Sequence, residues 1–353
     1  MDNRNFVKHI GSSGGYDFNL FERIISLENL FSAWNEFRLG KEGKLDVQEF
    51  GLDIEDNIFE LHEALKNNTY VHSTYKSFYL HDPKLRHIFK ANVRDRILHH
   101  AIVKIIGPIF DRTFIFDSYS SRKNKGTHKA ITRFRCLARK LSKNNSRTIW
   151  VLKCDIKKFF DSTNHRLILN QVGRKIKDHR ALKLIQSVVD SINTSTHGGI
   201  PLGNLTSQLF SNVYLDDLDQ FVKRKLRVKY YLRYNDDFLI LGLKKRSLED
   251  FVKIVTVFLR VKLGLELHPL KVSIMTWHQG IDFLGYMIFP YHEILRTKTK
   301  RRLLRKIGWN LQKLRSGLMN KNTFRQSLQS YLGVLSHCCG HGIKNAIDDL
   351  VNE

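Results

Sequence analysis

Tyr230-Tyr231-Leu232-Arg233-Tyr234-Asn235-Asp236-Asp237-Phe238-Leu239-Ile240-Leu241 consists of two β-prone runs that meet at Asn235-Asp236-Asp237. Aromatic and branched residues favour strands, and Asn and Asp are favoured where a chain reverses, so a β-hairpin with acidic residues at its tip is expected. Outward from it, 202–218 reads as a helix after the loop Gly198-Gly199-Ile200-Pro201-Leu202-Gly203, and 248–263 carries helical spacing. Thr148 to Cys154 reads as a buried strand ending at Asp155, 280–290 as strand, and 300–318 as a basic helix. Toward the N-terminus, 94–106 is helical, and 70–89 alternates aromatic and polar residues around Asp82-Pro83, as two short strands about a turn would. From 20 to 66 apolar residues recur at helical spacing, for example Leu27, Leu30, Phe31 and Trp34, then Ile58, Leu61 and Leu65. The order is an α+β pattern with an antiparallel hairpin at its centre.

Composition sets the partner class. Hydrophobic residues make up 42% of 353, with five prolines, which describes a globular chain able to form two or three subdomains. The formal charge of +25 exceeds what solubility needs and attracts a polyanion. The charge is segregated: Ser118 to Cys154 holds no acidic residue but includes Arg122, Lys123, Lys125, Lys129, Arg133, Arg135, Arg139, Lys140, Lys143, Arg147 and Lys153. A second basic run spans Arg296 to Arg315. A solvated face intersperses acids with bases, so nucleic acid is the expected partner. Neither run reads as a helix with a clean apolar face, and no apolar stretch is long enough for a bilayer, so no membrane partner is expected. The N-terminus shows no apolar leader, and Cys136, Cys154, Cys338 and Cys339 show no disulfide spacing, which together suggest a cytoplasmic protein. His337-Cys338-Cys339-Gly340-His341 reads as ordinary helix-end residues rather than a zinc site, because adjacent cysteines rarely close one tetrahedral shell.

Asp155 at a strand end and Asp236-Asp237 at a hairpin tip are carboxylates of the kind that hold Mg²⁺, which prefers hard oxygen ligands. Two divalent ions about 4 Å apart stabilise the attacking and leaving oxygens of an in-line displacement at phosphorus. Turn chemistry explains Asp236-Asp237 equally well in isolation, and a helix cap explains Asp155. The framing motifs separate these readings. Tyr234-Asn235-Asp236-Asp237 resembles the Tyr-X-Asp-Asp box of reverse transcriptases. Asp155-Ile156-Lys157-Lys158-Phe159-Phe160-Asp161 resembles the first palm motif of that family, and Gly199 to Gln208 followed by Leu209-Phe210-Ser211-Asn212 resembles the motif between them. Asp95-Arg96, Asp117-Ser118-Tyr119 and Gly126-Thr127-His128 are similar to its fingers motifs, and Phe283-Leu284-Gly285-Tyr286 to its primer grip. The resemblance covers roughly 20–300, and so many ordered motifs do not agree by chance.

The resemblance implies a right-hand polymerase with a helical N-terminal region at 1–66, fingers and palm at 67–290 and a helical thumb at 291–353. It implies two Mg²⁺ ions, with Mn²⁺ as a substitute, held by Asp155, Asp236, Asp237 and the Ile156 carbonyl. Lys271 falls where the family has a lysine near the leaving pyrophosphate. Lys84 and Arg86, which precede a helix in the fingers, would neutralise triphosphate charge, with Arg122 beside them and Leu202 and Gly203 near the nucleotide. Phe160 falls where the family packs a side chain under the incoming sugar; a ring there clashes with a 2′-hydroxyl and favours deoxynucleotides. The implied partners are an RNA template, a DNA primer or product, and dNTPs.

Many relatives carry Gln where this chain has Leu202, and Pro where it has Gln208. Leu202 cannot make the polar contact of a Gln, so base selection is expected to be loose, and Leu202→Gln to lower the misincorporation rate. The Ser207-Gln208 form resembles enzymes of diversity-generating retroelements and allied bacterial lineages. The first setting implies an accessory basic protein and antiviral defence a dedicated noncoding RNA; a homo-oligomer is left open by the sequence. A non-catalytic RNA-binding protein with the same fold is the rival reading, and the aspartate set argues against it.

Overall fold

The computed structural model describes residues 19–82, 84–191 and 198–352. The N-terminal leader reading and Pro83 of the expected turn fall outside them. In chain order the elements are α1 (Leu20–Ile25), α2 (Leu27–Arg38), α3 (Leu45–Leu52), α4 (Ile54–Lys66), β1 (Lys76–Leu80), β2 (Arg86–Lys90), α5 (Val93–Asp111), α6 (Thr127–Leu141) and β3 (Trp150–Asp155). There follow α7 (His165–Gly173), α8 (His179–Asp190), α9 (Leu205–Gln220), β4 (Tyr231–Tyr234), β5 (Asp237–Gly242), α10 (Lys245–Phe258) and β6 (Ser273–Thr276). The last are β7 (Ile281–Phe283), β8 (Tyr286–Ile288), β9 (Glu293–Leu295), α11 (Thr297–Arg315), α12 (Lys321–Leu335) and α13 (His341–Asn352). The expected helices and strands have counterparts, except that 280–290, read as strand, folds back at Leu284-Gly285 into the antiparallel pair β7 and β8, and the α10 pattern continues as a π-helical turn over Leu259–Leu263.

The described residues divide into two compact units, one within 1–114 and 158–217 and the other within 115–157 and 218–353. The first is mainly helical. Asn29 is buried in α2, and its Nδ2 donates to Ile24 O and Ala101 O, which ties α1 and α2 to α5. Asp178 caps α8 by accepting from Arg180 N and Ala181 N, and its other oxygen accepts from Phe21 N at 2.8 Å. β1 and β2 pair antiparallel as a hairpin whose Phe78, Tyr79 and Leu80 are exposed.

The second unit holds a four-stranded antiparallel sheet in the order β4-β5-β3-β6 and a three-stranded sheet β7-β8-β9. Because side chains alternate along a strand, Val151, Leu232, Leu239 and Leu241 share one face, and they join one core with Ala130, Ile131, Phe134 and Leu137 of α6. Here the structure corrects the sequence reading. The basic run 118–154 does contain an amphipathic helix, α6, whose apolar face was hidden among its charges and is buried in this core rather than offered to a membrane. Leu303 and Ile307 of α11, Leu335 of α12 and Ile347 of α13 belong to the same core. His337 to Gly340 form the turn between α12 and α13. No helix of the described residues is long and apolar enough to cross a membrane.

Candidate active site

Asp155 lies opposite Asp237 across the β3–β5 ladder, and Asp237 lies opposite Tyr234 across β4–β5. Directly paired residues project from the same face, so the two carboxylates stand side by side. Asn235 and Asp236 form the two-residue tip. Asn235 has φ 54°, a left-handed conformation that Asn adopts more readily than most residues, and its Nδ2 donates to Asp236 Oδ1 at 3.2 Å. That accounts for Asn in this box. Ile156 N donates to Asp236 O at 3.2 Å, and His268 N to Asp155 O at 2.8 Å. The second bond brings the 266–271 segment alongside β3, where Lys271 Nζ donates to Asp155 Oδ1 at 2.7 Å. The second unit thus gathers Asp155, Ile156, Asp236, Asp237 and Lys271.

Burial pushes the Asp237 carboxyl up to about 6; Lys153 works against this, and repulsion from Asp236 and Asp155 adds to it. Among the described residues no three His, Cys, Asp or Glu side chains form a ready metal cage, and the ammonium of Lys271 is the cation on Asp155. The donor chemistry nonetheless fits a hard divalent ion. Its side-chain donors are carboxylate oxygens, and their mutual repulsion is what a bound cation relieves.

On the opposite face of β4 sits a group that the sequence reading missed. Arg233 and Asp219 are both fully buried and paired at 2.7 Å. Arg233 Nη1 donates to Asn235 O at 3.1 Å and Nη2 to Ser118 Oγ at 3.2 Å, while Tyr231 Oη donates to Asp219 Oδ1 at 2.7 Å. The signal was an arginine inside a strand otherwise buried, where a charge must be paired. Asp117, Ser118 and Tyr119 run beside β4: Arg233 N donates to Asp117 O and Tyr119 N to Arg233 O. Asp117 in turn accepts from Arg133 of α6 at 2.7 Å.

Arg122 also lies in this unit, where its Nη1 donates to Ile115 O and Ser118 O and so clamps the loop that carries Ser118. The remaining candidates belong to the first unit. Phe160 is half-buried with its ring 5.3 Å from that of Phe159, and its carbonyl accepts from Ile200 N at 2.9 Å. Leu202 O accepts from Phe89 N at 3.1 Å. Gly203 has φ 116°, and a Cβ there would lie 3.2 Å from Ile88 Cγ2. Lys84 and Arg86 are exposed on the β1–β2 hairpin. Arg86 opens β2, and the helix that follows them in the chain, α5, begins at Val93.

Residues 80–288 match the family model described as reverse transcriptase (RNA-dependent DNA polymerase). Protein YkfC of Escherichia coli is 26% identical over 255 residues, covering 62% of this chain and 65% of YkfC. The group II intron-encoded protein LtrA of Lactococcus lactis is 25% identical over 215 residues, 58% of this chain and 34% of LtrA. The chain therefore spans less than two thirds of the length of either relative. Among solved structures, apo telomerase from Candida tropicalis aligns with a TM-score of 0.50 at 12% identity, over 80% of this chain and 57% of that one, a likeness of fold. Mixed helices and antiparallel sheets fit the α+β fold of right-hand polymerases, and since the family model spans more than half of the sequence and includes every carboxylate of the site, the chain belongs to the reverse transcriptase (RNA-dependent DNA polymerase) family.

Proposed function

We propose that the protein is an RNA-directed DNA polymerase that extends a DNA primer on an RNA template. The observation that carries this is the juxtaposition of Asp155 and Asp237 as direct cross-strand partners beside Asp236 at the tip. Like charges directly opposite destabilise a sheet, so this pairing serves a cationic ligand better than it serves the fold. Asp155, Asp236, Asp237 and the Ile156 carbonyl would hold divalent ions, Mg²⁺ or Mn²⁺, which when bound supply a polarised 3′-hydroxyl and stabilise the leaving pyrophosphate. Lys271, already donating to Asp155, is the residue we assign to protonate that pyrophosphate. Phe160 sets the choice of deoxynucleotide, Lys84 and Arg86 neutralise triphosphate charge, and Leu202 and Gly203 border the nucleotide. Residues 67–290 serve as fingers and palm, and the basic face of α11, within 291–353, grips phosphates without sequence preference.

The setting we propose is a diversity-generating retroelement or an antiphage defence system, on the form of the Ser207-Gln208 motif. A basic chain of net charge +25 suits a dedicated noncoding RNA as template.

The test is Mg²⁺-dependent extension of a DNA primer on an RNA template, with deoxynucleotides or ribonucleotides supplied and Asp236→Ala run alongside. Extension with deoxynucleotides alone, absent in the variant, is the expected result. No extension by the parent protein, with RNA co-purifying, would point instead to an RNA-binding protein that keeps the polymerase fold.

A further inference from the structure

We propose that the buried Arg233–Asp219 pair is the positioning element that sets where Asp236 stands, and so how well the carboxylates take up a divalent cation; this rests on reading the β4–β5 hairpin as the catalytic one. Arg233 pairs with Phe238 across the β4–β5 ladder, one residue out of phase with the Tyr234–Asp237 pair, so its side chain leaves the sheet on the face opposite Asp155 and Asp237.

Stability alone does not explain the pair. Two fully buried charges lose their hydration, and an apolar pair of similar volume commonly serves a fold as well. An apolar pair could not hold the tip. The guanidinium places Nε and Nη2 on Asp219 and uses Nη1 for the carbonyl of Asn235, which fixes the peptide plane entering Asp236. The peptide plane leaving Asp236 is fixed by Ile156 N on Asp236 O. Asp236 is therefore restrained on both sides, once through β3 and once through Arg233. The restraint is itself anchored: Tyr231 Oη orients Asp219, and Ser118 Oγ accepts from Arg233 Nη2. Lysine would not replace this arrangement, because one ammonium lacks the planar fork that reaches a carboxylate and two further acceptors at once.

The test uses the full chain, with Mn²⁺ alone as the probe, read by electron paramagnetic resonance, and circular dichroism as the check on folding. Arg233→Lys should weaken Mn²⁺ binding by about tenfold or more, in the range found when groups behind metal ligands are altered. Single-nucleotide incorporation should slow by a similar factor at an unchanged nucleotide KM. Should Arg233→Lys fail to fold, Ser118→Ala and Tyr231→Phe each remove one hydrogen bond of the anchor, and each should weaken Mn²⁺ binding by at least about twofold. Mn²⁺ affinity equal to the parent's in folded Arg233→Lys, or in both milder variants, overturns the proposal alone. A parent protein that takes up no Mn²⁺, indistinguishable from Asp236→Ala, overturns the reading of the carboxylates and the proposal with it.

Discussion

A phenyl ring has no polar atom for a ribose 2′-hydroxyl, and its bulk decides which sugar fits against it. If Phe160 is that ring, Phe160→Val opens room for the hydroxyl, and the preference for deoxynucleotides, measured as a ratio of kcat/KM values, should fall by about 10- to 100-fold. At Gly203 the constraint is the backbone: φ of 116° strains any L-residue, and a Cβ would press on Ile88 Cγ2 at 3.2 Å. Gly203→Ala should therefore lower unfolding stability in urea by about 1–3 kcal/mol. Gly264→Ala, with φ 63° and nothing within 4 Å of the added carbon, should lose only about 1 kcal/mol. That Asp155 and Asp237 come together was legible only through the framing motifs, since an acidic residue at a strand end or a turn is by itself ordinary cap or turn chemistry. Arg233 was not, because its partner Asp219 lies fourteen residues away on a different element and only the fold joins them.

Among the elements, α8 shows how one side chain secures two helices. Asp178 accepts from two N–H groups at the start of α8 and from Phe21 N at the start of α1, a donor that no turn of α1 itself can satisfy. Asp178→Ala removes all three bonds at a buried position and should lower stability by about 2–4 kcal/mol, with faster hydrogen exchange in both α1 and α8 peptides. Long periodic stretches such as α2, α4 and α10 could be read directly. The three- and four-residue strands β6 and β9 could not, since so few residues show no period and their pairing is set by distant partners: β6 by β3, β9 by β8. The helix α6 escaped for another reason. Its buried Ala130, Phe134 and Leu137 stand among so many lysines and arginines that charge masked the stripe.

At the scale of the whole molecule, the two units carry titrating groups of opposite sense. In the first, burial pushes the His99 imidazole down to about 3, with neighbouring His72, His100 and Arg96 adding to it, and His100 is lowered mainly by burial as well. The folded unit thus binds fewer protons than the unfolded chain between about pH 6.5 and 3, and acid removes on the order of 2 kcal/mol from it by pH 5 through His99. In the second unit Asp237, raised to about 6 by burial and by Asp236 and Asp155, makes the folded state bind more protons than the unfolded between about pH 6 and 4. Acid therefore adds a little over about 1 kcal/mol there by pH 5. His128, lowered by burial and by its stacked neighbour His337, opposes this but is largely solvated. Hydrogen exchange corrected for its intrinsic pH dependence should show α5 peptides losing protection, and β3 and β5 peptides gaining it, when pH falls from 7 to 5. Divalent ions added at pH 7 should reproduce the gain in β3 and β5 without changing α5, because a cation relieves the same repulsion that a proton does. Protection that fell equally in both units would mean that Asp237 does not carry the repulsion assigned to it, and a gain that survived Asp237→Asn would mean the same.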